Sequence, residues 1–140
     1  MDRLLEYANN HPLLTGAAVL AAVVVLGYEL RQRANASAAV SPGGAVRLMN
    51  DGATLLDVRA ANQFKDGHIA GARSVPADQI ADGAKSLDKL QDRVVIVCCD
   101  NGTTSAAAAR TLMRLGFKSV YKLRGGLAAW RQDNLPLVKG

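Results

Sequence analysis

Five consecutive apolar residues, Val94-Val95-Ile96-Val97-Cys98, four of them β-branched, leave few folds open to this chain. Successive side chains of a strand face opposite ways, so a half-buried strand alternates apolar and polar residues. A strand apolar at every position is buried on both faces, as in a parallel sheet covered by helices. The following residues agree with this. A short polar loop, Cys99–Thr104, leads into an Ala-rich stretch, Ser105–Leu115, with helical character, closed by Gly116.

The rest of residues 41–140 repeats the alternation. Ser41-Pro42 reads as an N-cap followed by proline at the first helical position, for a helix to about Asn50. Thr54–Val58 reads as a strand, Asn62–Asp66 as a helical turn and Ala72–Val75 as a weaker strand. A helix is expected over Asp78–Leu90, a strand over Val120–Leu123 and a final helix over Leu127–Gln132. Strands and helices in this order predict an α/β fold with a mostly parallel central sheet and helices on both faces.

Residues 12–28 are uncharged and mostly apolar, near the minimum length for a membrane-spanning helix. Tyr7 and Tyr28 are placed to meet the two interfaces. The predicted organisation is an N-terminal segment 1–30 with a transmembrane helix at about 12–30, a linker 31–40 and a globular domain 41–140. A cleaved signal peptide is the competing reading, because Ala34-Asn35-Ala36 resembles a cleavage site. Arg3 is offset by Asp2 and Glu6, whereas Arg31, Arg33 and Arg47 follow the run. That bias favours an anchor in the inner (cytoplasmic) membrane, single-pass, with the domain in the cytoplasm.

The net charge of +5 lies wholly in residues 41–140, which hold 14 basic and 9 acidic side chains. No basic block or pattern of stacking aromatics accompanies it, so no nucleic-acid partner is expected. The two cysteines, Cys98 and Cys99, are adjacent. Neighbouring cysteines close no useful loop as a disulfide, and no metal-ligand spacing is present. A thiol that is neither structural nor a ligand is a candidate for reactivity.

Cys99 opens the loop between a buried strand and a strong helix, the position at which open α/β sheets bind ligands. Backbone N–H groups of such a loop favour an anion, so a thiolate is expected there with a lowered pKa. Gly102 allows a tight curl round the sulfur, Asn101 tolerates left-handed dihedrals and Ser105 can cap the helix.

Three blocks then occur in order: LLDVRAANQFKDGHIAGA (55–72), CDNGTTS (99–105) and LRGGLAAW (123–130). With them the chain resembles the rhodanese-like family over roughly residues 41–138, the middle block having the form C-x-x-G-x-x-S. The N-terminal helix is similar to that of single-span, membrane-anchored bacterial members. The resemblance implies a rhodanese-like three-layer fold and a sulfurtransferase that holds sulfane sulfur on Cys99 as a persulfide. Asp100, Asn101, Gly102, Thr103, Thr104 and Ser105 would form the persulfide-binding loop. A small sulfur donor and a thiol or other thiophilic acceptor are the implied partners, with no cofactor or metal and an unidentified membrane-protein partner conceivable. The related phosphate-hydrolysing arrangement has a longer loop ending in Arg, the natural bidentate phosphate ligand. Thr104 stands near that end here. Family members active on thiosulfate often have a basic loop, whereas Asp100 would repel a dianion.

Asp57 and Arg59 follow a buried strand and read as a loop scaffold or as a pair at the active-site mouth. His68 reads as structural or as a supporting base, and Arg124 as a source of positive charge near the loop. Cys98 reads as a core residue or a resolving thiol, and Trp130 as a packing anchor. Two other functions compete with the enzyme: a membrane-tethered protein-binding module with little catalysis, and a thiol redox sensor using Cys98-Cys99.

Overall fold

The structure, a computed structural model, describes residues 1–34, 37–82 and 84–140. The chain divides into two compact units, Met1–Ala36 and Ser37–Gly140.

The first unit is helical. α1 runs over Asp2–Asn10 and α2 over Pro12–Ala34, 23 residues. Pro12 stands at the first position of α2, where its missing N–H leaves no bond unmade. Residues Pro12–Arg31 are long and apolar enough to cross a membrane or to act as a signal sequence. Leu13, Leu14, Val19, Leu20 and Val23 are exposed, and Arg31 and Arg33 occupy the last turn, favourable to the helix dipole. Asn35 and Ala36, two of the three residues of the cleavage-like stretch, lie outside the described residues.

The second unit is a five-stranded parallel sheet in the order β1-β5-β4-β2-β3. The strands are β1 (Ala38–Val40), β2 (Thr54–Asp57), β3 (Arg73–Ser74), β4 (Val94–Cys98) and β5 (Ser119–Leu123). The helices are α3 (Pro42–Asn50), α4 (Ala61–Asp66), α5 (Ala84–Leu87), α6 (Thr103–Arg114) and α7 (Gly126–Gln132). The expected α/β architecture is therefore present, and Ser41 caps α3 by accepting the Gly44 N–H at 3.1 Å.

Three expectations are corrected. Within the expected linker 31–40, residues 31–34 belong to α2, which ends at Ala34, and Ala38–Val40 pairs with Tyr121–Leu123 as an edge strand. Small residues at 38–40 carried no strand signal. The helix expected over Asp78–Leu90 is broken into a 3-10 turn at Ala77–Gln79, α5, and a second 3-10 turn at Asp88–Leu90. Asp82, a poor helix former, lies in the interruption. The helix expected from Ser105 starts at Thr103 with Gly102 as its N-cap, so Ser105 is no cap.

Burial follows the strand period. Val95, Val97 and Cys99 join the core on one face of the sheet, with Leu56, Val58 and the α6 residues Ala108, Ala109 and Leu112. Ile96 and Cys98 join the core on the other, with Leu55, Leu123, Ala45 of α3 and Leu127 and Trp130 of α7. The chain leaves β2 toward β3 and leaves β4 toward β5, in opposite directions. The loops after these neighbouring strands diverge, which opens a crevice at their carboxyl ends.

Candidate active site

β4 delivers Cys99 to that crevice one residue beyond its end. The backbone then folds back over the sulfur. The N–H groups of Gly102 and Ser105 donate to Cys99 Sγ at 3.0 and 3.4 Å. Gly102 makes this approach with φ of +95°, a conformation that L side chains rarely adopt. Asn101, which tolerates left-handed dihedrals, does not use them here. Its Oδ1 instead accepts the Thr103 N–H at 3.1 Å, an Asx turn that leads into α6. Ser105, in the first turn of α6, donates its Oγ–H to the Gly102 carbonyl at 3.0 Å. Two of the six residues of the loop thus aim N–H groups at the sulfur, at a helix N-terminus where partial positive charge accumulates. Such a cradle stabilises negative charge on Sγ or on an atom bonded to it.

A cavity of about 320 Å³ opens above Cys99, which is itself only 2% exposed. Val58, Arg59, Ala60 and Gln63 form one wall and Asp100, Asn101 and Thr104 the other. Asp57 ends β2 and binds Arg59 through both carboxylate oxygens, at 3.0 and 3.1 Å to Nε and 2.7 Å to a terminal nitrogen. The same terminal nitrogen donates to the Gly67 carbonyl at 2.7 Å, and the other lies 3.7 Å from Asp100 Oδ1. Gln63 donates to Asp100 Oδ2 at 3.3 Å. Burial lowers the Arg59 pKa, but hydrogen bonding to Asp57 and the charges of Asp57 and Asp100 outweigh it and raise the value, so the guanidinium stays charged. The pair is a scaffold, and Arg59 alone of the two also forms cavity wall.

Other sequence candidates lie elsewhere. His68 does not line the cavity; its Nδ1 contacts the Phe64 carbonyl at 2.8 Å and its ring stacks on Phe64, centroids 3.7 Å apart. Arg124 is exposed and outside the cavity wall, its N–H bonded to the Val40 carbonyl at 2.8 Å. Cys98 is fully buried on the opposite face of the sheet from Cys99. Burial, reinforced by the Asp57 carboxylate, pushes its thiol well above the ordinary range. Cys98 is a core residue in this geometry. Trp130 anchors α7 as expected, donating to the Pro136 carbonyl at 3.0 Å.

Sequence reasoning missed the clamp on the loop. The first N–H groups of α7 are spent on the Cys99 loop: Leu127 donates to the Cys99 carbonyl at 2.9 Å and Ala128 to the Asp100 carbonyl at 3.0 Å. Gly126 permits this approach, since a Cβ there would lie against the Cys99 carbonyl oxygen and 2.8 Å from the Asn101 nitrogen. The Gly125-Gly126 pair was its visible signal. Gln63, an exposed polar residue on a short helix, carried none.

Comparison with known proteins agrees with this geometry. Residues 41–133 match the family described as Rhodanese-like domain. The chain is 32% identical over 142 residues to YibN, an uncharacterized protein of Escherichia coli strain K12, covering 100% of this chain and 99% of YibN. It is 39% identical over 92 residues to the thiosulfate sulfurtransferase GlpE of Pseudomonas fluorescens, covering 66% of this chain and 83% of GlpE. A rhodanese-related protein of Thermoplasma volcanium superposes with a TM-score of 0.67 at 26% identity, covering 74% of this chain and 99% of that structure.

Proposed function

This chain belongs to the rhodanese-like domain family, and we propose that it is a sulfurtransferase that carries sulfane sulfur as a persulfide on Cys99. The observation that carries the proposal is the pair of N–H groups, from Gly102 and Ser105, directed at Cys99 Sγ beneath an open cavity. In the first half-reaction the Cys99 thiolate attacks the outer sulfur of a donor. A new S–S bond forms at Sγ while the donor's own bond to that sulfur breaks, and the leaving group takes the electron pair. From thiosulfate the leaving group is sulfite, and the persulfide keeps the one negative charge that the thiolate brought. In the second half-reaction an acceptor thiolate attacks the terminal sulfur and Cys99 departs as thiolate. No net oxidation occurs and no cofactor takes part. The loop N–H groups hold negative charge at the sulfur through both steps.

The helix Pro12–Arg31 fits the role of a single membrane anchor, and the basic Arg31 and Arg33 at its end favour, by the positive-inside rule, a cytoplasmic domain. Protease applied to intact spheroplasts should then leave the domain undigested, and digestion from outside would reverse the orientation. Sulfur transfer is tested on the full chain in detergent. Incubation with a sulfane sulfur donor should add one sulfur atom to the mass of Cys99, removable by a thiol and absent in Cys99→Ser. A folded protein that takes up no sulfur from thiosulfate or from organic persulfides would overturn the proposal in favour of a binding module.

A further inference from the structure

The cavity above Cys99 holds two charged side chains, Arg59 and Asp100. The guanidinium of Arg59 is already matched. Its side chain is 5% exposed, Asp57 takes its Nε and one terminal nitrogen, and its other terminal nitrogen faces Asp100. Asp57, Arg59 and Asp100 together therefore carry one net negative charge. The Asp100 side chain is 55% exposed, so that charge stands at the mouth, where Gln63 fixes its second oxygen. Lys122 and Arg124, which precede the clamp in sequence, do not line the cavity. A donor with two negative charges approaches a carboxylate and a thiolate with no uncommitted cation on the wall.

We infer that Asp100 selects the sulfur donor, so that the site takes sulfane sulfur from a small organic persulfide, best one bearing an ammonium group, in preference to the thiosulfate dianion. The inference rests on the sulfurtransferase reading and narrows it. The Cys99 thiolate attacks the outer sulfur of R–S–SH. The Cys99–S bond forms, the donor's S–S bond breaks, and the electron pair leaves on R–S⁻, which takes a proton from water and leaves hydroxide. The terminal sulfur carries its own proton onto Cys99, so atoms and charge balance without an oxidant. An ammonium on R meets the Asp100 carboxylate at the mouth, whereas the sulfonate end of thiosulfate meets the same carboxylate with repulsion. At roughly 6 Å in a water-like dielectric, one unit charge opposite Asp100 changes the rate about threefold and a dianion about tenfold.

The test compares three donors on the full chain in neutral detergent at low salt: 2-aminoethyl hydropersulfide, 2-carboxyethyl hydropersulfide and thiosulfate. The reading is kcat/KM for loading Cys99, in wild type and in Asp100→Asn, which keeps the side-chain size and a hydrogen-bonding oxygen. The substitution should raise the thiosulfate value about tenfold and lower the aminoethyl value about threefold, with the carboxyethyl donor rising about threefold. High salt should shrink these differences in wild type. Responses of opposite sign for cationic and anionic donors are not produced by a merely structural role. A uniform fall for all three donors, or a thiosulfate value within twofold of wild type, overturns the inference while leaving the sulfurtransferase reading intact. Failure of all three donors to load Cys99 in either protein overturns both.

Discussion

Replacement of Gly126 by alanine separates the clamp from ordinary helix stability. Gly126 has φ of +58°, where an L side chain costs about 1–2 kcal/mol. Its new Cβ would press on the Cys99 carbonyl oxygen and lie 2.8 Å from both the Asn101 nitrogen and the Asp100 carbonyl carbon. Heavy atoms rest about 3.5–4.0 Å apart, so the loop must retreat by roughly 1 Å. Relieving such overpacking adds about 1–3 kcal/mol. The expected total, about 2–5 kcal/mol, is a large part of ordinary domain stability but need not abolish folding. Retreat of the loop also lengthens the Leu127 and Ala128 bonds to the Cys99 and Asp100 carbonyls, now 2.9 and 3.0 Å, and moves the N–H groups round Sγ. Gly125→Ala is the control: φ is +71° and its Cβ would meet the Ala129 Cβ at 2.7 Å, inside α7 and away from the loop. Urea unfolding of the full chain, followed by far-UV circular dichroism, should show both variants destabilised. Sulfur loading of Cys99, measured well below either transition, should collapse only in Gly126→Ala. Stability of Gly126→Ala within about 0.5 kcal/mol of wild type would refute the steric reasoning. An equal loss of loading in Gly125→Ala would refute the clamp.

Three further outcomes are expected. Because burial raises the Cys98 pKa, the folded state keeps this proton after the unfolded chain has lost its own. Stability is full below the ordinary thiol value of about 8.5 and falls by up to about 1.4 kcal/mol per pH unit above it. Denaturation of wild type and Cys98→Ala at pH 8 and pH 10 should show this slope as the difference, and parallel curves would contradict it. Asp57→Ala strips the buried Arg59 of its bidentate partner and should cost about 3 kcal/mol, read as a lowered denaturation midpoint; a loss under about 1 kcal/mol would show that Asp100 and the Gly67 carbonyl suffice. A fragment beginning at Ser37 should be soluble and cooperatively folded, whereas one beginning at Ser41 loses β1, which pairs with β5, and should melt lower; equal midpoints would make β1 dispensable.

The elements legible in the sequence were those whose signals are local. Val94–Cys98 matched the strand residue for residue, because five apolar side chains in a row admit few other uses. Ser41-Pro42 marked its helix start because capping is settled within one turn. The start of α6 was misplaced by two residues because Gly102 caps it without a side chain, and a residue that uses only its backbone leaves a weak trace. Strand β1 escaped notice for the opposite reason. Its three residues gain their pairing from β5, more than 80 positions away, and have little preference of their own.

The site divides in the same way. The buried strand, the loop that follows it and the helix beyond already imply a thiol at the carboxyl edge of a parallel sheet, since these features lie within one stretch of chain. The opposite orientations of Cys98 and Cys99 are legible too, because adjacent strand side chains must face opposite ways. Only the tertiary structure decided that Arg59 also faces Asp100, that Gln63 completes the wall, and that His68 and Arg124 stand apart from the cavity. The contacts of Arg59 and Gln63 with Asp100 join segments roughly 40 positions apart, and their energies depend on distances of 3.3–3.7 Å that no residue's local preference encodes. The Gly126 approach is of this kind as well: its glycine is visible in sequence, but the carbonyl it makes room for belongs to a loop brought there by the packing of α7 on the sheet.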